Sequence, residues 1–547
     1  MTVGPLRLGG FAIATAILAS CAGGYDSLDS GGLLIAEQSA YDVTYYELDL
    51  HVNPDEQRIG GTVEMRARVV SATDRIALDL HDNFDVTGVT DGAGEPLDFD
   101  HRNGRIWIRY PQPEAVNAQL TVRVAYSGRP HVAVNPPWEG GFTWVTTPGG
   151  VPWIATTCQG EGADVWWPVK DHPGDEPDSM RMSFTVPDPL VVASNGRLEA
   201  AEAVGEDSTR YRWFVSTPIN TYNVTFNAAD FHVLRTEHVS PAGDVYPVEF
   251  YVLPENRVRG GLFLAEIHDH LSFYESLLGP YPFRADKYGV VQTPHLGMEH
   301  QTIIAYGANF DSGAMTSGVD WGFDALHHHE LSHEWWGNML TNADWSDMWL
   351  HEGFGTYMQA LYLERTGGIE RYREYMDSFR PVIDDGFTLA PRASQTADEI
   401  YDGQLYYKGA WVLHTLRYLV GDVAFFRTLR EMTYPSRRDS TVADNACRCR
   451  FITTDDFLSV AEAASGRDLD WFFNVYLRQS HLPRLLVERD DIRVRARWDV
   501  HGGLPFNMPV PFSREDEVVV LVPDRNGVVE IDGSDWDVDT SHWILRE

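Results

Sequence analysis

His329-Glu330-Leu331-Ser332-His333, followed after eighteen residues by Glu352 in Trp349-Leu350-His351-Glu352-Gly353-Phe354, is the stretch that decides how this chain is read. On a helix, positions four apart share one face a turn from each other, so the His329 and His333 rings converge. Glu352, carried back by a second helix, completes a set of two imidazoles and one carboxylate. Three protein ligands with a fourth position open are the pattern of a catalytic zinc site rather than a structural one. One Zn2+ per chain is therefore the expected cofactor. Glu330 stands beside the ligand face, placed to take a proton from an attacking water and pass it to a departing group. His327 and His328 read as packing or supporting groups, because Glu330 fixes the register.

Away from this centre, residues 8–19 form a short apolar run preceded by Arg7 and ending in Leu18-Ala19-Ser20-Cys21. The run is too short to span a bilayer and suits a secretory leader. Its last four residues resemble the lipobox of bacterial lipoproteins. That resemblance implies a signal peptide over 1–20, lipid on the Cys21 sulfur and, because Ala22 follows, retention in the cell envelope at the periplasmic face of the outer membrane. Residues 21–39, rich in Gly, Ser and Asp, read as a lipidated cysteine with a flexible tether. Only Cys158, Cys447 and Cys449 remain, and the open pairing is Cys158 with Cys447 or Cys449.

A length of 547 residues with 43% hydrophobic residues fits a globular chain of two to four domains. A net charge of -37 argues against nucleic acid or an anionic membrane surface as a partner, since both repel it. Lys170, Lys287 and Lys408 are the only lysines, every other basic side chain being arginine. Acidity with arginine usage fits a salty habitat or a G+C-rich genome.

Tyr46, Leu48, Leu50 and Val52 alternate with polar residues, and similar runs separated by turns such as Asp91-Gly92 and Asn195-Gly196 recur to about residue 235. A β-rich domain is expected over 40–235. The period then changes. Helices are expected over 262–278, 320–340, 355–365, 405–419 and 455–464, with a strand at 288–292, which makes 236–484 a mixed domain with its metal site on packed helices. Strand signals return over 485–547, with 518–522 and 528–531 flanking an Asn526-Gly527 turn. A small β domain is expected there.

Peptide-bond attack places negative charge on the former carbonyl oxygen, and a donor aimed at it contributes about 3 kcal/mol. Tyr406, in Leu405-Tyr406-Tyr407-Lys408-Gly409, is a candidate donor, with Tyr407 open as the alternative. These residues, taken with the His329–Asn338 and Trp349–Phe354 segments, resemble the zinc aminopeptidase family that includes aminopeptidase N and the leukotriene epoxide hydrolases. The resemblance selects Tyr406 over Tyr407. Leu296-Gly297-Met298-Glu299-His300 is similar to the family's exopeptidase motif, and Gln159-Gly160-Glu161 with Trp166-Trp167-Pro168 to its amine-recognition segment. It implies an α+β multidomain fold: an N-terminal β sandwich, a thermolysin-like catalytic domain with a helical zinc site and a C-terminal β domain. Glu299 and Glu161 are expected to hold the substrate's α-ammonium, with Gln159, Gly297 and Met298 in the same substrate-binding region.

An α-amino group is mostly cationic at neutral pH, so two buried carboxylates beside the metal would fix it one residue from the scissile carbonyl. The implied function is removal of N-terminal residues from peptides. Epoxide hydrolysis at the same metal and thermolysin-type endopeptidase cleavage are the alternatives, and an idle peptide-binding lipoprotein is the non-enzymatic one. Leu296 and His300 replace the family's usual glycine and asparagine, and Asp164-Val165 a basic pair, which leaves side-chain preference open. The chain also lacks room for the long helical C-terminal domain of larger relatives, so a more accessible cleft is expected.

Overall fold

The computed structural model describes residues 26–435, 447–515, 517–524, 527–539 and 542–547. The expected signal peptide and Cys21 lie outside them. Among the described residues no helix is long and apolar enough to cross a membrane.

Alternating burial along Tyr41–Asn53 (Tyr46, Leu48 and Leu50 inward) builds a seven-stranded sheet in which this strand sits between Arg58–Val69 and Ser179–Pro187. A four-stranded sheet containing Pro152–Thr157 and Phe226–Ala229 covers its inner face. Phe184 of the first sheet meets Phe226 of the second with ring centroids 4.9 Å apart, the interlocking expected of a sandwich. The expected β domain is therefore present, with an earlier boundary. His232–Val239 pairs with Val245–Val252 and so belongs to the next domain's sheet.

The catalytic domain's sheet has five strands, ordered His232–Val239, Val245–Val252, Tyr288–Gln292, Ile304–Tyr306 and Gly297–Met298. Tyr288–Gln292 is buried along its whole length, which explains why it reads as a continuous apolar run. Against it pack Arg257–Leu278 and Ala325–Ser332, followed by Trp349–Phe379, Gln404–Val420 and Thr454–Ser465. The expected helices all appear with shifted ends. Arg257–Leu278 starts one turn early, and Trp349–Phe379 extends the expected 355–365 in both directions past a break at Gly368 (φ 79°). The expected helix over 320–340 is corrected to eight residues. Asp324 caps it by accepting from His327 N, and beyond His333 the chain makes turns through Gly337 (φ 151°) before the strand Leu340–Asn342.

The C-terminal part forms two three-stranded sheets. Here the expected hairpin is corrected, since Glu517–Leu521 pairs with Val510–Arg514 whereas Val528–Asp532 pairs with Arg493–Asp499. Pro523 follows the first strand and cannot donate to a ladder, so the two runs diverge rather than pair. Asn526 of the expected turn lies outside the described residues.

Two further expectations change. Cys447 is bonded to Cys449, and Cys158 is a free thiol buried in the N-terminal core, so the expected bridge between them does not form. Residues 28–39 are not a loose tether: Ser30 is 3% exposed, and 36–39 form a helical turn with Gln38 donating to Asp79 Oδ2. All three lysines are buried with their ammoniums on main-chain carbonyls. Lys170 donates to Tyr41 O (2.8 Å), Lys287 to Ser194 O (3.0 Å) and Lys408 to Phe387 O (2.6 Å) and Ser480 O (2.8 Å).

Candidate metal centre and amine site

His329 and His333 project from the short helix Ala325–Ser332 and its cap, and Glu352 from the first turn of Trp349–Phe379. His329 Nε2 lies 3.2 Å from both Glu352 Oε2 and His333 Nε2, and His333 Nε2 lies 3.6 Å from Glu352 Oε2. A tetrahedral zinc about 2.0–2.1 Å from each ligand needs ligand atoms roughly 3.3 Å apart, so this triangle fits the ion. His333 Nδ1 donates to Trp336 O (2.9 Å), which leaves the Nε2 lone pair facing the triangle. Burial lowers the His329 pKa to about 3, keeping that ring neutral and able to ligate. The donor set is that of a zinc centre.

The helices carrying these ligands come close because glycines let them. A Cβ at Gly355 would sit 2.9 Å from His329 Cε1, and one at Gly409 would sit 2.9 Å from Gly353 Cα. The Gly353–Gly409 contact packs Gln404–Val420 directly on the ligand helix, and Lys408 pins the same helix through its two carbonyls. Tyr406 is thereby brought over the site, its ring stacked on His329 at 5.7 Å. Tyr407 instead packs on Phe379, away from the triangle.

Sequence reasoning missed Tyr401. Its hydroxyl donates to Glu352 Oε1 (3.0 Å) and meets the Tyr406 hydroxyl at 2.6 Å. Because the Tyr401 proton goes to the carboxylate, Tyr406 supplies the proton between the two. Burial, then the Glu352 charge, raises both phenols far above their ordinary range, so they stay protonated donors. The only signal was a second tyrosine five residues before the motif.

Glu330 lies beneath the edge strand Gly297–Met298. A Cβ at Gly297 would sit 2.6 Å from Glu330 Oε1, so this glycine leaves room for the carboxylate. Burial first, then the charges of Glu299 and Glu352, hold the Glu330 carboxyl well above the ordinary range. Three acids thus share one buried space, an arrangement suited to a divalent cation and a substrate ammonium.

Glu299 accepts from Gln159 Nε2 (2.6 Å) and from Tyr222 OH (3.0 Å), and its main-chain oxygen accepts from Asn338 Nδ2 (2.9 Å). Glu161 is a correction. Its Oε1 accepts from Gly140 N of the preceding loop, and its raised pKa of about 7 comes from burial and the nearby Asp398 and Glu139 charges, not from Glu299. Residues 159–161 turn away after the strand Pro152–Thr157, and Gln159 is the one of the two whose side chain hydrogen-bonds Glu299. Tyr222 carried no sequence signal, and Asn338 lay inside the quoted motif without a role.

Fold and donor set together define a zinc-peptidase type of protein. The chain belongs to peptidase family M1: the family's M1 domain matches residues 265–476 and its M1 N-terminal domain residues 42–223. It is 25% identical over 497 residues to human endoplasmic reticulum aminopeptidase 1, covering 84% of this chain and 50% of that protein. It is 24% identical over 448 residues to leucine aminopeptidase 2-1 of Meyerozyma guilliermondii, covering 78% of this chain and 67% of the relative. The chain thus spans half the length of the human relative. Among solved structures, an M1 zinc metallopeptidase mutant from Deinococcus radiodurans bound to a Tyr-Ser-Ala substrate superposes with a TM-score of 0.68 at 22% identity, over 83% of this chain and 98% of that one. A second structure of an M1 zinc metallopeptidase from Deinococcus radiodurans gives 0.66 at 22% identity, covering 81% of this chain and 95% of that one.

Proposed function

We propose that this chain is a zinc-dependent aminopeptidase that hydrolyses the N-terminal peptide bond of peptides. The observation that carries the reading is the Gln159–Glu299–Tyr222 cluster within electrostatic reach of His333 and Glu352. A carboxylate and an amide oxygen so held bind an ammonium and have nothing to offer a blocked amine.

His329, His333 and Glu352 hold the metal, which when bound supplies Lewis acidity toward water and the scissile carbonyl. Glu330 accepts the proton released by the attacking water and returns it to the departing amine nitrogen. Tyr406 turns its hydroxyl proton from Tyr401 to the carbonyl oxygen as negative charge develops there. Tyr401 keeps its own proton on Glu352 throughout. Glu299, aligned by Gln159 and Tyr222, fixes the α-ammonium and so selects the first peptide bond.

The test is a panel of aminoacyl reporters and peptides, free and N-acetylated, with and without chelator. Chelator-sensitive release from free amines alone supports the reading. Equal cleavage of blocked peptides would favour an endopeptidase, and turnover of small lipid epoxides alone would favour epoxide hydrolysis.

We also propose lipid anchoring at Cys21. Nine residues separate it from the buried Ser30, a contour of at most about 30 Å, so an anchor there keeps the cleft near the bilayer. Cys21→Ser should release the protein from the membrane fraction; retention of the variant there would refute the anchor.

A further inference from the structure

The segment just before the first strand runs across the junction of the two large domains, beside the cleft. Ser30 N donates to Gly160 O (2.9 Å) in the N-terminal domain, and Ser30 O accepts from Ala397 N (2.9 Å) in the catalytic domain. The pattern continues on both sides. Asp398 N donates to Asp29 Oδ1 (3.0 Å), Gly32 N donates to Gln395 O (3.2 Å), and Gly32 O meets His172 Nε2 at 3.0 Å. Gly31 pairs with Thr396 as an antiparallel bridge. Gly31 (φ 89°) and Gly32 (φ 74°) occupy the left-handed region, and a Cβ at Gly31 would run into the Trp345 indole.

The attachment points adjoin the chemistry. Gly160 follows Gln159, whose amide aligns Glu299, and the helical turn Ala397–Ile400 leads into Tyr401, which holds Glu352 and Tyr406. The main chain of one residue therefore ties the wall of the cleft that carries Gln159 to the wall that carries Tyr401. We propose that residues 29–32 are positioning residues, a strap that sets the spacing between Gln159 on one wall and Tyr401 on the other. The inference rests on the aminopeptidase reading for its kinetic consequence and on geometry alone for its mechanical one. A main-chain strap acts through hydrogen bonds, so it is sensitive to a lost N–H and tolerant of side-chain change.

Ser30→Pro removes the N–H that reaches Gly160 together with the hydroxyl that hydrogen-bonds Asp171, and Ser30→Ala removes the hydroxyl alone, so the difference between the two isolates the N–H. Both are compared with wild type in the full chain at equal, measured zinc content. Hydrogen exchange of peptides covering 156–162 and 396–401 should quicken at least about fivefold in Ser30→Pro and stay at the wild-type rate in Ser30→Ala. The KM for free-amine substrates should rise about tenfold in Ser30→Pro with kcat changed less than about threefold, because spacing governs amine capture before proton transfer. Unchanged exchange in Ser30→Pro overturns the strap, as does an equal effect in Ser30→Ala or a fall in kcat at constant KM. Should wild type hydrolyse nothing, the aminopeptidase reading fails and exchange alone decides.

Discussion

Gln159 and Glu299 meet across the domain junction, the amide Nε2 donating to the carboxylate Oε1 at 2.6 Å. The Glu299 carboxylate of the catalytic domain is thus held by two side chains of the N-terminal domain, Gln159 and Tyr222. Glu299→Ala and Gln159→Ala should each raise KM for free-amine peptides, Glu299→Ala on the order of 10²-fold, and narrow the preference over acetylated peptides. Glu161→Ala should change either constant less than about threefold. A Glu161 effect as large as that of Glu299 would reverse the correction made from the geometry.

Glu330→Gln keeps the shape beneath Gly297 and removes the proton acceptor. We expect kcat to fall about 10²–10⁴-fold with zinc stoichiometry intact. Metal analysis beside steady-state kinetics checks this, and unimpaired turnover would take Glu330 out of the reaction.

Tyr406→Phe should cost about 10²–10³-fold in kcat with little change in KM. For Tyr401→Phe the loss should be nearer tenfold, since its hydroxyl orients Glu352 and Tyr406 rather than facing substrate. If the two losses come in the opposite order, the oxyanion donor is Tyr401.

Removal of the metal should destabilise as well as inactivate. His329, His333 and Glu352 hold ligand atoms 3.2–3.6 Å apart on two helices that one bound ion would tie together. Thermal unfolding with chelator should show a lower midpoint that returns with added Zn2+ and rises with its concentration. An unmoved midpoint would mean that the folded chain holds no ion at these ligands.

Burial raises the Glu176 pKa from 4.5 to about 7, against hydrogen bonds from Thr341 and Asn220 that lower it. Between those values the folded chain holds a proton that the unfolded chain has lost, so this group's contribution is present below pH 4.5 and disappears as pH rises through about 7. Relative to Glu176→Gln, wild type should lose about 1–2 °C of midpoint between pH 5 and pH 8. A gap constant over that interval would contradict the shift.

How much of this was legible beforehand depends on the range of the interaction. The metal ligands and Glu330 follow from local helical spacing, and Tyr46, Leu48 and Leu50 from two-residue alternation. Gln159 and Glu161 both sat in the right segment, but which one reaches Glu299 depends on how the strand leaves the sheet. Tyr222 and Ser30 act across 77 and 130 residues of chain respectively, the latter counted to Gly160, and nothing local marks such partners. The helix over 320–340 failed because apolar Trp335, Trp336 and Met339 continue the pattern after the helix has ended at Ser332.

The burial of all three lysines leaves this protein with no ε-amine available to reagents in solution while it stays folded. Amine-selective acylating dyes should therefore label a bound or released peptide without labelling lysine on the enzyme. Surface attachment through lysine coupling will fail for the same reason, and immobilisation has to use carboxylates or a tag. A sudden gain of dye on Lys170, Lys287 or Lys408 would be a direct readout of unfolding, resolved by position in the chain.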